Sequence, residues 1–229
     1  MDTFVLRLWL PDRPGALGAV ASRIGAVRGD VVGVEILERG AGRAVDELVV
    51  QLPSADLVSL LVAEIAQVDG VDVEDVRPAP RPMVDAGVAA LETAARLVGA
   101  ESFEALLDAL GEAACHGFAA EWAAAIDLDG GLLVSTQGVP PPPAWLAAFV
   151  AGSRSSLDVA AGHCGAEDVA WALLGSQDCD GDTRPLALVM GRQGRPFRSR
   201  ERQQLSALCH IAALQRLVLH RRSRASALR

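Results

Sequence analysis

No lysine, tyrosine or asparagine occurs anywhere in the 229 residues, so every basic side chain is an arginine or a histidine. Their absence removes whole chemistries. Without lysine there is neither a Schiff-base amine nor a phosphate-loop lysine, and without tyrosine there is no phenolic acid. All three missing residues use AT-rich codons, a bias that a high-GC genome imposes. Aromatics make up only 4% of the chain. No apolar run approaches the roughly 20 residues that cross a bilayer, which predicts a chain without a membrane partner. A net charge of −8 argues against a dedicated nucleic-acid binder. The opening residues, MDTFVLRL, lack the basic-then-apolar pattern of a secretion signal, and a cytoplasmic protein is expected.

Catalytic signatures are equally sparse. Four cysteines and four histidines form the adjacent pairs Cys115-His116, His163-Cys164 and Cys209-His210, with Cys179 and His220 apart. No C-x-x-C, H-x-x-x-H or H-E-x-x-H spacing joins them, so neither a metal nor a cofactor is expected, and disulfides are not expected either. The stretch DCDGDT (178–183) hints at a calcium loop, but an EF-hand needs glycine sixth and glutamate twelfth, where Thr183 and Val189 stand. Ser153, Ser155 and Ser156 read as a polar loop with no G-x-S-x-G elbow around them. No nucleophile–base set emerges, so no enzyme is expected.

What the chain does contain is period. Phe4, Leu6, Leu8 and Leu10 alternate with Val5, Arg7 and Trp9, as in a strand. Pro14 and Gly15 open a helix that should end near Gly29, where glycine accepts a left-handed conformation. Residues 31–38 and 44–52 read as strands joined by RGAGR, and Pro53-Ser54 starts a second helix striped by Leu57, Leu60, Leu61, Ile65 and Val68. Residues 71–76, VDVEDV, close the unit as a short strand. The expected class is α+β, with a ferredoxin-like βαββαβ domain over residues 1–78.

The stretch RPAPRP (77–82), with its three prolines, reads as a stiff linker, its core at 79–82. The remainder, 83–222, opens with helical stripes at Val84, Val88, Leu91, Ala95 and Val98 and at Phe103, Leu106, Leu107 and Leu110. Strands are expected over 119–127, 132–137, 169–174 and 185–192, with DLDGG (127–131) turning the first hairpin. A short helix over 144–150 carries Trp145 and Phe149. A last helix is expected from Ser199, with Arg202 where a capping box needs Glu, followed by a basic tail at 223–229.

The run DRPGALGAVASRIGAVRGDVVGVEILE, after its leading strand, resembles the ACT domain, a regulatory ligand-binding module. The segment PLALVMGRQGRPFRSRERQQLSALCHIAALQRLVL resembles the closing strand, Pro-Phe turn and terminal helix of a GAF domain. Backbone amides at a helix start carry partial positive charge and suit a carboxylate. Asp12 could pair with an ammonium group, and Gly15 admits close approach. The ACT resemblance implies a pocket of Asp12, Arg13, Pro14, Gly15, Ala16 and Leu17 facing Asp30, Val31, Val32 and Val34 of a neighbouring protomer. It implies an amino-acid ligand, a homodimer and a partner protein for output. Two readings stay open: a sensor relaying ligand binding through the GAF-like half, and a ligand-free interaction subunit regulating a partner enzyme.

Overall fold

Contacts divide the chain into two compact units, Met1–Met83 and Val84–Arg229. The computed structural model describes residues 1–79, 85–155, 168–175 and 184–227. The DCDGDT stretch, Ser156, His163, Cys164, Cys179 and most of the 79–82 linker lie outside these described residues.

The first unit runs β1 (Asp2–Pro11), α1 (Ala16–Ala26), β2 (Asp30–Gly40) and β3 (Arg43–Leu52). A 3-10 turn (Ala55–Leu57) then leads into α2 (Val58–Ile65), and β4 (Asp72–Pro78) closes it. Its sheet has the order β2-β3-β1-β4 with every neighbour antiparallel, the ferredoxin-like arrangement. Alternation decides the layering. Phe4, Leu6, Leu8 and Leu10 point with Leu48, Val50 and Leu52 into a core closed by Val20 and Ile24 of α1 and by Leu61 and Ile65 of α2. Each such aliphatic side chain contributes about 1.5–3 kcal/mol when fully buried. Leu60, expected in the α2 stripe, is instead 49% exposed.

The opposite face carries charge. Arg7, 1% exposed, donates through Nη2 to Glu47 Oε2 at 3.0 Å, while Arg77 donates to the other oxygen of Glu47 at 3.1 Å. Arg7 stands in register with Glu47 on β3 and with Asp75 on β4, so strand pairing itself assembles the network.

Two glycine positions refine the sequence reading. The β2–β3 hairpin turns through Ala41 and Gly42, with φ of 50° and 75°, the pair of positive angles that a type I′ turn requires. At the end of α1 the left-handed residue is Arg28 (φ 60°), not Gly29. Gly29 is needed for space: a Cβ there would stand 2.8 Å from Cγ2 of Ile24.

The second unit runs α3 (Ala86–Val98), α4 (Phe103–Gly117), β5 (Trp122–Asp127), β6 (Leu133–Gln137), α5 (Pro143–Ser155), β7 (Val169–Leu173), β8 (Leu186–Gly191) and α6 (Ser199–Ala227). Its antiparallel sheet has the order β6-β5-β8-β7. Ala123, Ala125, Leu188 and Met190 face Leu106 and Leu110 of α4 and Leu205 and Cys209 of α6. Ala124, Ile126, Ala187 and Val189 face Leu146 and Val150 of α5. The sheet is thus sandwiched between helices. The small side chains of β5 keep both helix layers close.

Here the structure departs from the sequence reading in three places. The α3 stripe of Val88, Leu91 and Val98 is exposed at 46%, 72% and 58%, and Leu97 is the residue that α3 buries fully. Ser153 lies buried in α5, which runs past the expected end into the supposed polar loop. The basic tail is no separate segment as far as Ala227, because α6 continues through it.

The start of α6 is also built differently. The backbone N–H of Arg198 donates to Glu201 Oε2 at 2.9 Å, and that of Arg202 donates to the Arg198 carbonyl at 3.0 Å. Arg198 is therefore the cap and Glu201 the third helical residue that reaches back to it, one position earlier than Ser199 and Arg202 suggest. Glu201 also receives the Arg192 guanidinium at 2.8 Å, with both side chains under a tenth exposed. Arg192 further donates to the carbonyls of Phe118, Arg195 and Pro196 and lies 3.9 Å over the Phe197 ring. One guanidinium thereby ties β8, the end of α4 and the start of α6. Glu201→Gln removes the countercharge from a buried cation and is expected to cost the second unit at least ~3 kcal/mol in chemical denaturation.

Candidate functional site

The β1–α1 turn begins where β1 leaves the sheet. Asp12 N–H donates to the Gly42 carbonyl at 2.9 Å and Arg13 N–H to the Pro11 carbonyl at 2.8 Å, which holds the turn against the β2–β3 hairpin. Gly15 stands at the cap position with φ of 88°, and a Cβ there would meet nothing within 4 Å. Its glycine identity is therefore a matter of backbone angle, and the space above it is open. Among the described residues no side chain caps α1; the Ala16 N–H donates to the Arg13 carbonyl at 3.3 Å, and the Leu17 and Gly18 N–H groups are left uncapped. Ala16 is buried beneath the helix, while Arg13 and Pro14 are exposed and Leu17 is 37% exposed.

Under this turn lies a residue the sequence reading passed over. Asp46 pairs in register with Leu8 and Ile36, on the helix-facing side of the sheet, and is only 6% exposed. Among the described residues its Oδ1 has no hydrogen-bond partner. Burial pushes its carboxyl above the usual carboxylate range; the Arg39 charge works against this, and the Asp12 charge adds to it. Arg39 Nε itself stands 4.0 Å from Asp12 Oδ1. Two carboxylates thus share one guanidinium beside an uncapped helix start. The signal was present in AVDELVV, where Asp46 takes an inward position of an otherwise apolar alternation.

The other half of the predicted pocket is elsewhere in this protomer. Pro11 pairs with Arg43 at one end of β3, and Asp30 pairs with Gln51 at the other. Eight residues of strand separate them, roughly 26 Å. Asp30, Val32 and Val34 lie exposed along β2, with Val31 half-buried between them. The chain therefore assembles Asp12–Leu17 with Asp46 and Arg39, and leaves residues 30–34 on a free sheet edge.

The thiol and metal readings can be placed too. Burial pushes the Cys209 thiol up to about 12 and raises that of Cys115. Among the described residues no group of three His, Cys, Asp or Glu side chains could hold a metal ion. Asp127 acts as a turn residue, its Oδ1 accepting from the N–H groups of Asp129 and Gly130 at 2.9 and 3.2 Å. Peptide mapping after iodoacetamide treatment at pH 8 is expected to find Cys209 modified only once the protein is denatured.

Asp46 makes a pH-dependent prediction. Its folded pKa is raised, so its ionisation penalty is absent below about pH 3.8, the unfolded value. The penalty grows as pH rises through the higher folded value. Asp46→Asn is therefore expected to stabilise the first unit by about 1–3 kcal/mol at pH 7, a gain that vanishes on acidification in parallel melting curves.

No protein-family model matches this chain, and no curated protein is matched. Among solved structures it is similar to the ACT domain from GTP pyrophosphokinase of Chlorobium tepidum. There the identity is 16% and the TM-score 0.28, covering 34% of this chain and 100% of that one. It is similar to a formyltetrahydrofolate deformylase from Pseudomonas putida KT2440 at 22% identity and a TM-score of 0.30, covering 40% of this chain and 36% of that one. A third likeness is the C-terminal domain of the MgtC protein from Mycobacterium tuberculosis, at 12% identity and a TM-score of 0.29, covering 37% and 95%. ACT domains thus stand among the structural neighbours of about a third of the chain.

Proposed function

We propose that this chain is a non-enzymatic regulatory protein that binds an amino acid at the β1–α1 turn. The second unit, read as GAF-like from its sequence, relays the binding to a partner protein. The observation that carries this reading is Asp46: a buried carboxylate with an unpartnered oxygen beside a helix start that no side chain caps. Such a group is destabilising unless something completes it. An α-ammonium group would complete Asp46 and Asp12, and an α-carboxylate would take the first-turn amides of α1. Gly15 leaves room for both.

A second copy completes the pocket. The β4 edge is seven residues long and ends in Pro78, which discourages strand addition, whereas β2 runs eleven residues and exposes Val32 and Val34. Two β2 strands pairing antiparallel about residue 35 would set the second copy's residues 30–34 beside residues 36–40 here, next to the turn. Ligand bound across that seam would favour one arrangement of the dimer.

Each of the common amino acids, added singly in thermal-shift assays, tests this reading. One of them is expected to stabilise the protein by about 2.7 kcal/mol at a hundred times its Kd. Asp12→Ala and Asp46→Asn should each weaken that ligand at least tenfold, although Asp46→Asn stabilises the free protein. Val34→Pro should yield monomers in sedimentation and lose the ligand. A flat response to every amino acid defeats the sensor reading and leaves the interaction subunit, for which the open β2 edge speaks.

A further inference from the structure

The second unit contains a cavity of about 540 Å³ on the side of its sheet opposite α5, where the start of α4, the end of β5, the start of β8 and the last turns of α6 converge. Its floor is carbon: Leu186 and Leu219 reach in from the core, joined by Phe103. Its rim is cationic. Arg184, Arg216 and Arg222 line it together with His220, against the carboxylates of Glu101 and Asp127.

Two carboxylates face three guanidiniums, so the rim keeps an excess of positive charge. Asp127 is committed to its own turn through Oδ1, and its Oδ2 lies 3.6 Å from Arg184. Arg184 is 79% exposed in its side chain, and Arg222 is exposed on α6. Arg216 is held in place: Nη1 and Nη2 donate to the carbonyls of Leu174 and Arg184 at 3.2 and 2.8 Å, and its guanidinium lies 5.4 Å from the Phe103 ring centre. Its remaining N–H groups donate to no other described residue. Burial lowers the Arg216 pKa, and Asp127 only partly offsets this, so an added anion would favour a cation already partly withdrawn from water.

We infer that this cavity binds a small organic anion, its apolar body on Leu186, Leu219 and Phe103 and its carboxylate or phosphate between Arg216, Arg184 and Arg222. A fixed, part-buried guanidinium flanked by two exposed arginines offers the geometry for an anionic head group. Apolar lining with a few convergent polar groups is the composition of a small-molecule site. This site is independent of the β1–α1 turn.

Calorimetric titration of the 229-residue chain with three probes tests the inference: phenylphosphate, inorganic phosphate and benzyl alcohol. Phenylphosphate should bind saturably and at least tenfold more tightly than either of the others, since only it has both body and charge. Arg222→Glu and Arg184→Glu, both on exposed side chains, should each weaken it about tenfold, and Arg222→Glu should leave the melting temperature unchanged. Leu219→Ala should weaken phenylphosphate but not inorganic phosphate. Absence of saturable binding overturns the inference, as does phenylphosphate binding indifferent to both charge reversals. Benzyl alcohol binding as well as phenylphosphate overturns it too, because the cavity would then be merely apolar.

Discussion

Everything in the first unit follows from one requirement: a single sheet face must be dry under two helices. Alternation along β1 and β3 meets it with Leu6, Leu8, Leu48 and Val50, and the helices meet it with Val20, Ile24, Leu61 and Ile65. Asp46 is the exception. It occupies an inward position in the same layer, and its ionised form is disfavoured there by lost hydration. At this position the layer holds a carboxylate beside an open turn in place of apolar packing.

The second unit meets its own packing demand with two helix layers and a sheet strand of small residues. Its polar anchor is Arg192, whose donors reach the end of α4, the turn after β8 and Glu201 at the head of α6. A buried ion pair alone is weak support for stability, but this one satisfies backbone carbonyls that would otherwise be left dry. The same arginine chemistry serves differently at Arg216, where the guanidinium stands over a cavity. In a chain without lysine, each fixed cation is a planar, multiply donating group, and this suits both roles.

Much of the fold was legible because strand and helix periods were clean. The order βαββαβ, the four strands of the second sheet and the turn at Asp127 all follow from local pattern and turn chemistry. What escaped were features that depend on contacts distant in sequence. Gly29 looked like a helix terminator, but it is crowded by Ile24 and Leu52. The Val88, Leu91 and Val98 stripe looked like a core face; α3 instead buries its other side through Leu97. The cap of α6 moved by one residue because Glu201 answers both Arg198 and Arg192.

By itself the sequence determined which segments are strands and helices, where the chain turns, and that the turn at 12–17 is a glycine-opened helix start. Those are local properties, set by side-chain period and by which backbone angles each residue tolerates. Tertiary structure decided what lies around that turn. Strand register carried Asp46 and Arg39 to it and carried residues 30–34 away from it, Asp30 by roughly 26 Å along the sheet. Packing of α6 against the second sheet brought Arg184, Arg216 and Arg222 to one cavity from two distant segments. No local pattern encodes such meetings, because they arise only when the packed layers fix which residues stand opposite one another.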